Sequence, residues 1–323
     1  MSCSAPFGMG RFIKLYDRFE TMIKIDTRIL NICQELVDRF LASSIKRDEI
    51  TIFLCGGASK NEAEFRVALG TAIKSLKSKY QYSVYYPERV FVELILGHKR
   101  YDLLSLENLL ANSVNTVIVP LQSPGTYTEL GAFANHPELQ NKLTVVIDPK
   151  YKRAPSFINT GPIRYLKSKT DSQIIYHEME MRSVGVLAKN LSEAARKISN
   201  LHPIIPSLTN PLTSYEFYLA LIFVLDQIPR QTAIQIAQQF ESVNKDLVAT
   251  VAETVINGLI NERKIALVGN LLSIPPQGIN ELLVSFKTSK KSEELLEFLT
   301  RLRMNALNII LRGKTYFEWR AAV

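Results

Sequence analysis

Between Ile50 and Ile198, short β-rich runs alternate with segments of helical period. No other feature of the chain constrains its fold as much. The runs are ITIFLC (Ile50–Cys55), YSVYYP (Tyr82–Pro87), NTVIVP (Asn115–Pro120), KLTVVID (Lys142–Asp148) and QIIYH (Gln173–His177). Helical stretches are predicted over roughly Asn61–Lys77, Glu88–Leu96, Ser105–Asn112 and Val184–Ile198. Repeated βα units with apolar strands predict a parallel α/β sheet covered by helices on both faces.

The flanks read differently. Residues 11–48 have helical spacing, with Phe12, Leu15, Phe19, Met22 and Ile23 recurring every three or four positions and a second stretch over Ile29–Leu41. This N-terminal helical arm (1–48) could pack on the domain or on a partner. LHPIIPSLTNP (Leu201–Pro211) carries three prolines and few helix formers, so it is the expected linker between an α/β domain (49–200) and a C-terminal domain (212–323). Beyond it, helices are expected at Thr213–Ile228, Gln231–Phe240 and Asp246–Asn261. A hairpin around Gly269-Asn270 follows, then helices from Gly278 and over Ser292–Leu311. Three helices followed by a β-hairpin is the order of a winged helix-turn-helix. A generic helical bundle with one hairpin is the plainer alternative.

Composition excludes several classes. The longest uncharged apolar run, FYLALIFVL (Phe217–Leu225), is well short of the roughly 20 residues a membrane span needs, so no membrane partner is expected. The start, MSCSAPFGMGRF, leads into no long apolar region of the secretory type. Cys3, Cys33 and Cys55 give neither a disulfide framework nor ligand spacing, and the four histidines are scattered. No metal or cofactor is expected, and a reducing, cytoplasmic compartment fits best. The net charge of +8 invites a nucleic-acid partner. From Leu201 onward, however, 12 basic residues face 11 acidic ones, so the surplus sits in the first 200 residues.

In parallel α/β sheets, ligands bind beyond the carboxyl ends of the strands. Four segments fall there. Gly56 and Gly57 follow the first strand; they permit close backbone approach to a phosphate or ribose, or form a plain turn, and there is no GxGxxG fingerprint. Glu88 follows the second, where a carboxylate could accept ribose hydroxyls or simply favour a helix N-terminus. After the third comes SPGTYTELGAF. Thr126-x-x-Glu129 has the form of a capping box. Glu129 is equally placed to act as a carboxylate at a ribose C1′, attacking it or shielding an oxocarbenium-like transition state. After the fourth strand comes DPKYKRAPSFINTGPIR, whose Lys150, Lys152, Arg153 and Arg164, with Asn159 among them, could hold phosphates or form a solvated loop.

IFLCGG, YPE, LLSLENLLANSVNTVIVP, SPGTYTELGAF and SFINTGPIR, in that order, resemble the effector proteins of bacterial retrons. The likeness is strong over Ile50–Leu166 and weaker beyond, most visible at LINERKI (Leu259–Ile265). The resemblance implies a Rossmann/flavodoxin-like, nucleoside-deoxyribosyltransferase-like α/β domain followed by a winged helix-turn-helix domain. It also implies a toxin of antiphage defence, held in check by a retron reverse transcriptase and its branched RNA–DNA product, msDNA. In the deoxyribosyltransferase pattern the glutamate of GTxxE is the nucleophile at C1′, and Gly125-Thr126-Tyr127-Thr128-Glu129 matches it. The base-binding aspartate of that pattern, six residues earlier, is Ser123 here.

On this reading the chain is an N-glycosyl hydrolase acting on NAD or a related nucleotide. Glu129 would stabilise or capture the ribosyl cation. Gly56, Gly57 and Glu88 would line the ribose and phosphate side, and Ser123, Gly125 and Thr126 the ribose or base edge. Asn159 and Arg164 would hold phosphate or complete a neighbouring subunit's site, since a homo-oligomer is expected of this fold. The alternative is a nucleic-acid-binding regulator or scaffold whose α/β domain is a silent ligand sensor.

Overall fold

The computed structural model describes residues 25–43, 49–57, 59–86, 109, 111, 113–241, 244–284 and 289–312. The expected helix over Glu88–Leu96, the stretch Phe12–Ile23 and the candidate Glu88 lie outside the described residues, and of the expected helix Ser105–Asn112 only Leu109 and Ala111 are described, both helical. The chain enters on helix α1 (Thr27–Ser43), then runs through β1 (Glu49–Leu54), α2 (Lys60–Lys74), β2 (Gln81–Tyr85), β3 (Thr116–Pro120) and α3 (Pro124–Ala134). It continues through β4 (Leu143–Ile147), α4 (Arg164–Lys169), β5 (Gln173–Tyr176) and α5 (Val184–Leu201).

The five strands form one sheet in the order β2-β1-β3-β4-β5, every pair parallel. Strand side chains alternate between faces with period two, and the core divides accordingly. Ile50, Ile52, Leu54, Ile118 and Val146 point to the face covered by α2 and α5, where Phe65, Leu69, Ile73, Leu187 and Leu191 meet them. Phe53, Val117, Val119, Leu143, Val145 and Ile147 point to the face covered by α3, against Leu130 and Phe133. Strands β3 and β4 are buried at every position, as a sheet covered on both sides requires.

The remaining elements form a mainly helical unit. Helix α6 (Pro211–Leu225) is followed by β6 (Ile228–Pro229), α7 (Arg230–Gln239), α8 (Lys245–Asn261), the hairpin β7 (Ala266–Val268) and β8 (Leu271–Ser273), α9 (Pro276–Val284) and α10 (Ser289–Arg312). The hairpin turns through Gly269, at φ 62°, a left-handed conformation that glycine adopts without a steric penalty. The short β6, which lacks any strand-like run in the sequence, pairs antiparallel with β8 to complete a three-stranded sheet. The apolar run Phe217–Leu225 lies in α6, which is buried around its whole circumference at the centre of this unit. No helix among the described residues is long and apolar enough to cross a membrane.

Helix α1 belongs to this second core although it precedes β1. Ile29, Ile32, Cys33, Leu36, Val37 and Phe40 pack among residues of α6 and α10, and Glu35 pairs with Arg301 at 2.9 Å. Each fully buried aliphatic or aromatic side chain there contributes about 1.5–3 kcal/mol relative to exposure. Burial pushes the Cys33 thiol up to about 12, so it packs as a small inert hydrophobe.

Candidate functional site

The strand order positions the site. From β1 the chain passes through α2 to β2 on one side, whereas β3 lies on the other side of β1. The helices after β1 and β3 cover opposite faces of the sheet. The carboxyl ends of β1 and β3 therefore form the topological switch point, the place where open α/β sheets hold ligands. Ladder bonds extend just past both strands, with Cys55 N–H donating to Ile118 O at 3.0 Å and Leu121 N–H to Val146 O at 2.9 Å. Gly56 and Gly57 follow β1, and Ser123, Gly125, Thr126 and Glu129 follow β3.

The turn into α3 corrects the expected capping. Ser123, in extended conformation, is the N-cap, and Pro124 takes the first helical position, where its missing N–H costs nothing. The Ser123 hydroxyl accepts the Thr126 N–H at 3.4 Å. The Thr126 hydroxyl donates to Ser123 O at 2.8 Å and accepts the N–H groups of Gln122 at 3.2 Å and Ser123 at 3.1 Å. Thr126 is fully buried and fixes the turn from inside. The capping box is thus Ser123 with Thr126, and the helix begins one turn earlier than the Thr126-x-x-Glu129 pattern suggests. Glu129 is not part of this box. It lies in the second turn, partly buried, with Oε2 enclosed. The helix dipole, which fades beyond the first turn, reaches it less than it would an N3 residue. Gly125, in the first turn, is exposed.

The segment after β1 is held by α2. Ser59 and Glu62 form its capping box, with Glu62 Oε2 accepting the Ser59 N–H at 3.2 Å and hydroxyl at 2.6 Å. A methyl group on Gly57 would overlap the Glu62 carboxylate, and one on Gly56 would overlap the Arg66 side chain. A side chain at either position would therefore displace Glu62 or Arg66 from its present contacts. Arg66 is buried, donates to Gly56 O at 3.2 Å and lies 5.9 Å from the Tyr86 ring centroid. Sequence reading passed over Glu62 and Arg66. The Ser59-x-x-Glu62 signature was available for the first, whereas Arg66 looks like any exposed helical arginine until the fold brings it under Gly56.

The basic loop after β4 flanks α3. Asp148 accepts the Lys150 N–H at 3.0 Å and pairs with its ammonium at 3.0 Å. The Asn159 amide donates to Tyr151 O at 2.7 Å and Ala154 O at 2.8 Å, so Asn159 braces the loop, and a π-helical turn (Asn159–Ile163) leads into α4. Lys150 lies over Tyr151 at 4.9 Å, and Lys152 and Lys167 over Tyr176 at 5.1 and 4.7 Å. Arg164 is exposed at the start of α4. Burial pushes the Tyr127 phenol up, helped by Tyr151 and Asp148 and opposed by Lys150. These charges surround the α3 residue two positions before Glu129. Gly56, Gly57, Ser123, Gly125, Thr126 and Glu129 thus lie in the segments that follow β1 and β3, while Asn159 and Arg164 follow β4. Among the described residues no group of three or more His, Cys, Asp or Glu is arranged to hold a metal ion.

Comparison with known proteins bears on this arrangement. The sequence profile of the family described as "STM3845 retron effector protein" matches residues 62–265, from the start of α2 through the helical unit to the residue before β7. The chain belongs to this retron effector family. It is 32% identical over 284 residues to the Escherichia coli protein named "Retron Ec86 putative ribosyltransferase/DNA-binding protein", covering 84% of this chain and 88% of that protein. It is also 32% identical over 134 residues to the E. coli protein named "Retron Ec73 putative ribosyltransferase/DNA-binding protein", covering 40% of this chain and 42% of that one. The matched residues include Glu129, Arg66 and the basic loop.

Proposed function

We propose that this effector breaks the N-glycosidic bond of NAD or a related nucleotide, with Glu129 acting at the ribose C1′. The observation that carries the reading is the placement of Glu129. It lies in the GTxxE segment that follows β3 at the switch point, with Ser123 and Thr126 doing the capping it would otherwise share. The C1′–N bond breaks with its electron pair leaving on the base. From NAD the departing nicotinamide is neutral and needs no proton. The Glu129 carboxylate stabilises the ribosyl cation or adds to C1′ as an ester, and water then supplies the hydroxyl at C1′ and releases a proton. Gly56 and Gly57 line the ribose and phosphate side, and the sequence assigns the same role to Glu88. Ser123 and Gly125 face the ribose or base edge, and Thr126 and Asn159 act by holding their loops. Arg164 binds phosphate or completes a second subunit's site. The relatives' printed names, ribosyltransferase among them, support glycosyl chemistry.

In this account the protein is a cytoplasmic toxin of antiphage defence, restrained by a retron reverse transcriptase and msDNA. The α/β unit is read as nucleoside-deoxyribosyltransferase-like. The helical unit is read as a winged helix-turn-helix from its order of helix, strand, two helices and hairpin. That same order, with "DNA-binding" in the relatives' names, favours a second reading, a nucleic-acid-binding regulator or scaffold whose α/β unit senses a ligand without turning it over. Metabolite profiling separates the two. The chain and its Glu129→Gln variant are expressed without partners. NAD or one nucleotide pool falls with the wild type and holds with the variant. Equal pools in both, together with tight, salt-sensitive binding of a specific duplex by the full chain, establish the second reading.

A further inference from the structure

A second concavity lies away from Glu129. The α/β and helical units enclose a cleft of about 870 Å³, within the range of small-molecule sites, which favour domain interfaces. It runs along the first residues of β1, the residue before β3 and the edge strand β2, and is closed by α6 and α8. Asn115 precedes β3 and Leu121 follows it, so the strand's length, roughly 17 Å at 3.3 Å per residue, separates the two sites.

Asn115 indicates what the cleft could hold. The residue is 5% exposed. Its Oδ1 accepts the Thr51 N–H and the Thr51 hydroxyl, each at 2.9 Å. A backbone N–H requires an acceptor, so the side-chain oxygen faces Thr51 and the amide NH₂ opens toward the cleft that Asn115 lines. That NH₂ has no partner among the described residues, and it is not among the enclosed unpaired atoms, so it stays open to a ligand in the cleft. It calls for a carbonyl or ring-nitrogen acceptor. The walls supply flat aromatic surface from Tyr85, Tyr86 and Tyr215. Charged groups along them are mostly carboxylates, with Glu262 and Glu281 both held on Lys264, at 2.7 and 3.1 Å, and Glu49 and Glu216 further along. Such a lining disfavours phosphates and accepts from exocyclic amines.

We propose that this cleft is a second ligand site, for an unphosphorylated nucleobase or nucleoside, with Asn115 donating to its ring or carbonyl acceptor and Tyr215 stacking on it. The inference does not depend on Glu129 being reactive. Its test is calorimetric titration of the full chain with adenine, guanine, cytosine, nicotinamide, adenosine and cytidine, with AMP as the phosphorylated control. Asn115→Asp keeps the acceptor for Thr51 and removes the donor. Tyr215→Leu removes the ring by an independent change. The expected result is binding of at least one base or nucleoside, weakened about tenfold or more in each of these two variants, unchanged in Glu129→Gln, and weaker for AMP than for adenosine. The proposal is overturned if no compound binds, if binding survives both variants, or if it is lost in Glu129→Gln.

Discussion

Thr126 and Ser123 hold each other across the start of α3, the Thr126 hydroxyl donating to Ser123 O at 2.8 Å and accepting the Ser123 N–H at 3.1 Å. This exchange sets where the helix begins and therefore where Glu129 stands. Thr126→Val keeps the shape and removes the hydroxyl from a buried position. It is expected to cost about 1–3 kcal/mol in urea unfolding, while Thr126→Ser retains most of the stability. A valine variant as stable as the wild type would mean that the turn is held by something else.

Gly57 and Glu62 make a second, separable prediction. A methyl group at position 57 meets the Glu62 carboxylate, the end of a flexible side chain, so Gly57→Ala should displace it from its Ser59 capping contacts and destabilise by about 0.5–1 kcal/mol. The collision is specific to that carboxylate. In a Glu62→Ala background the same change should cost less than half as much, as a double-mutant cycle would report. Additive costs would show that Gly57 is required for another reason.

How much of this was legible in the sequence varied with the kind of signal. The five strands and the helices of the second unit could be read because their periodicities are strong and their breakers, Pro229 and Gly269 among them, stand where the elements change. The two-residue β6 could not be read, because it is a strand only through its pairing with β8. The Thr126-x-x-Glu129 pattern misled because Ser123 offers a competing cap one turn earlier, and a proline at the first helical position favours that start. Arg66 and Asn115 carry no local signature. The first gains its role from lying under Gly56 and the second from reaching Thr51, 64 residues away.

Helix α1 provides a test of how the units are built. Phe40 is fully buried in the core formed with α6 and α10. Phe40→Ala should therefore destabilise the protein by about 3–5 kcal/mol, measured as a shift in urea midpoint. A detachable arm would tolerate the change with little loss.

Lys264 predicts a pH dependence. Burial works against its charge, but the hydrogen bonds it donates to Glu262 and Tyr215 outweigh it and hold its pKa above the ordinary lysine value. A lysine whose pKa is raised on folding stabilises fully below its unfolded value and loses that contribution as pH rises through the folded one. The Tm gap between wild type and Lys264→Met should accordingly stay constant from about pH 6 to 9 and narrow only above the ordinary lysine pKa of about 10.4. Closure of the gap near neutrality would contradict the assignment.

The central claim concerns Glu129, and the direct measurement is base release by the purified protein. Wild type and Glu129→Gln are incubated with NAD and with a panel of nucleotides, free bases are quantified by chromatography, and both proteins are melted to compare folding. The account predicts nicotinamide or one free base from the wild type, and a rate lower by about 10³-fold in a variant with unchanged Tm. Full activity in folded Glu129→Gln, or no base released from any substrate by the wild type, would contradict it.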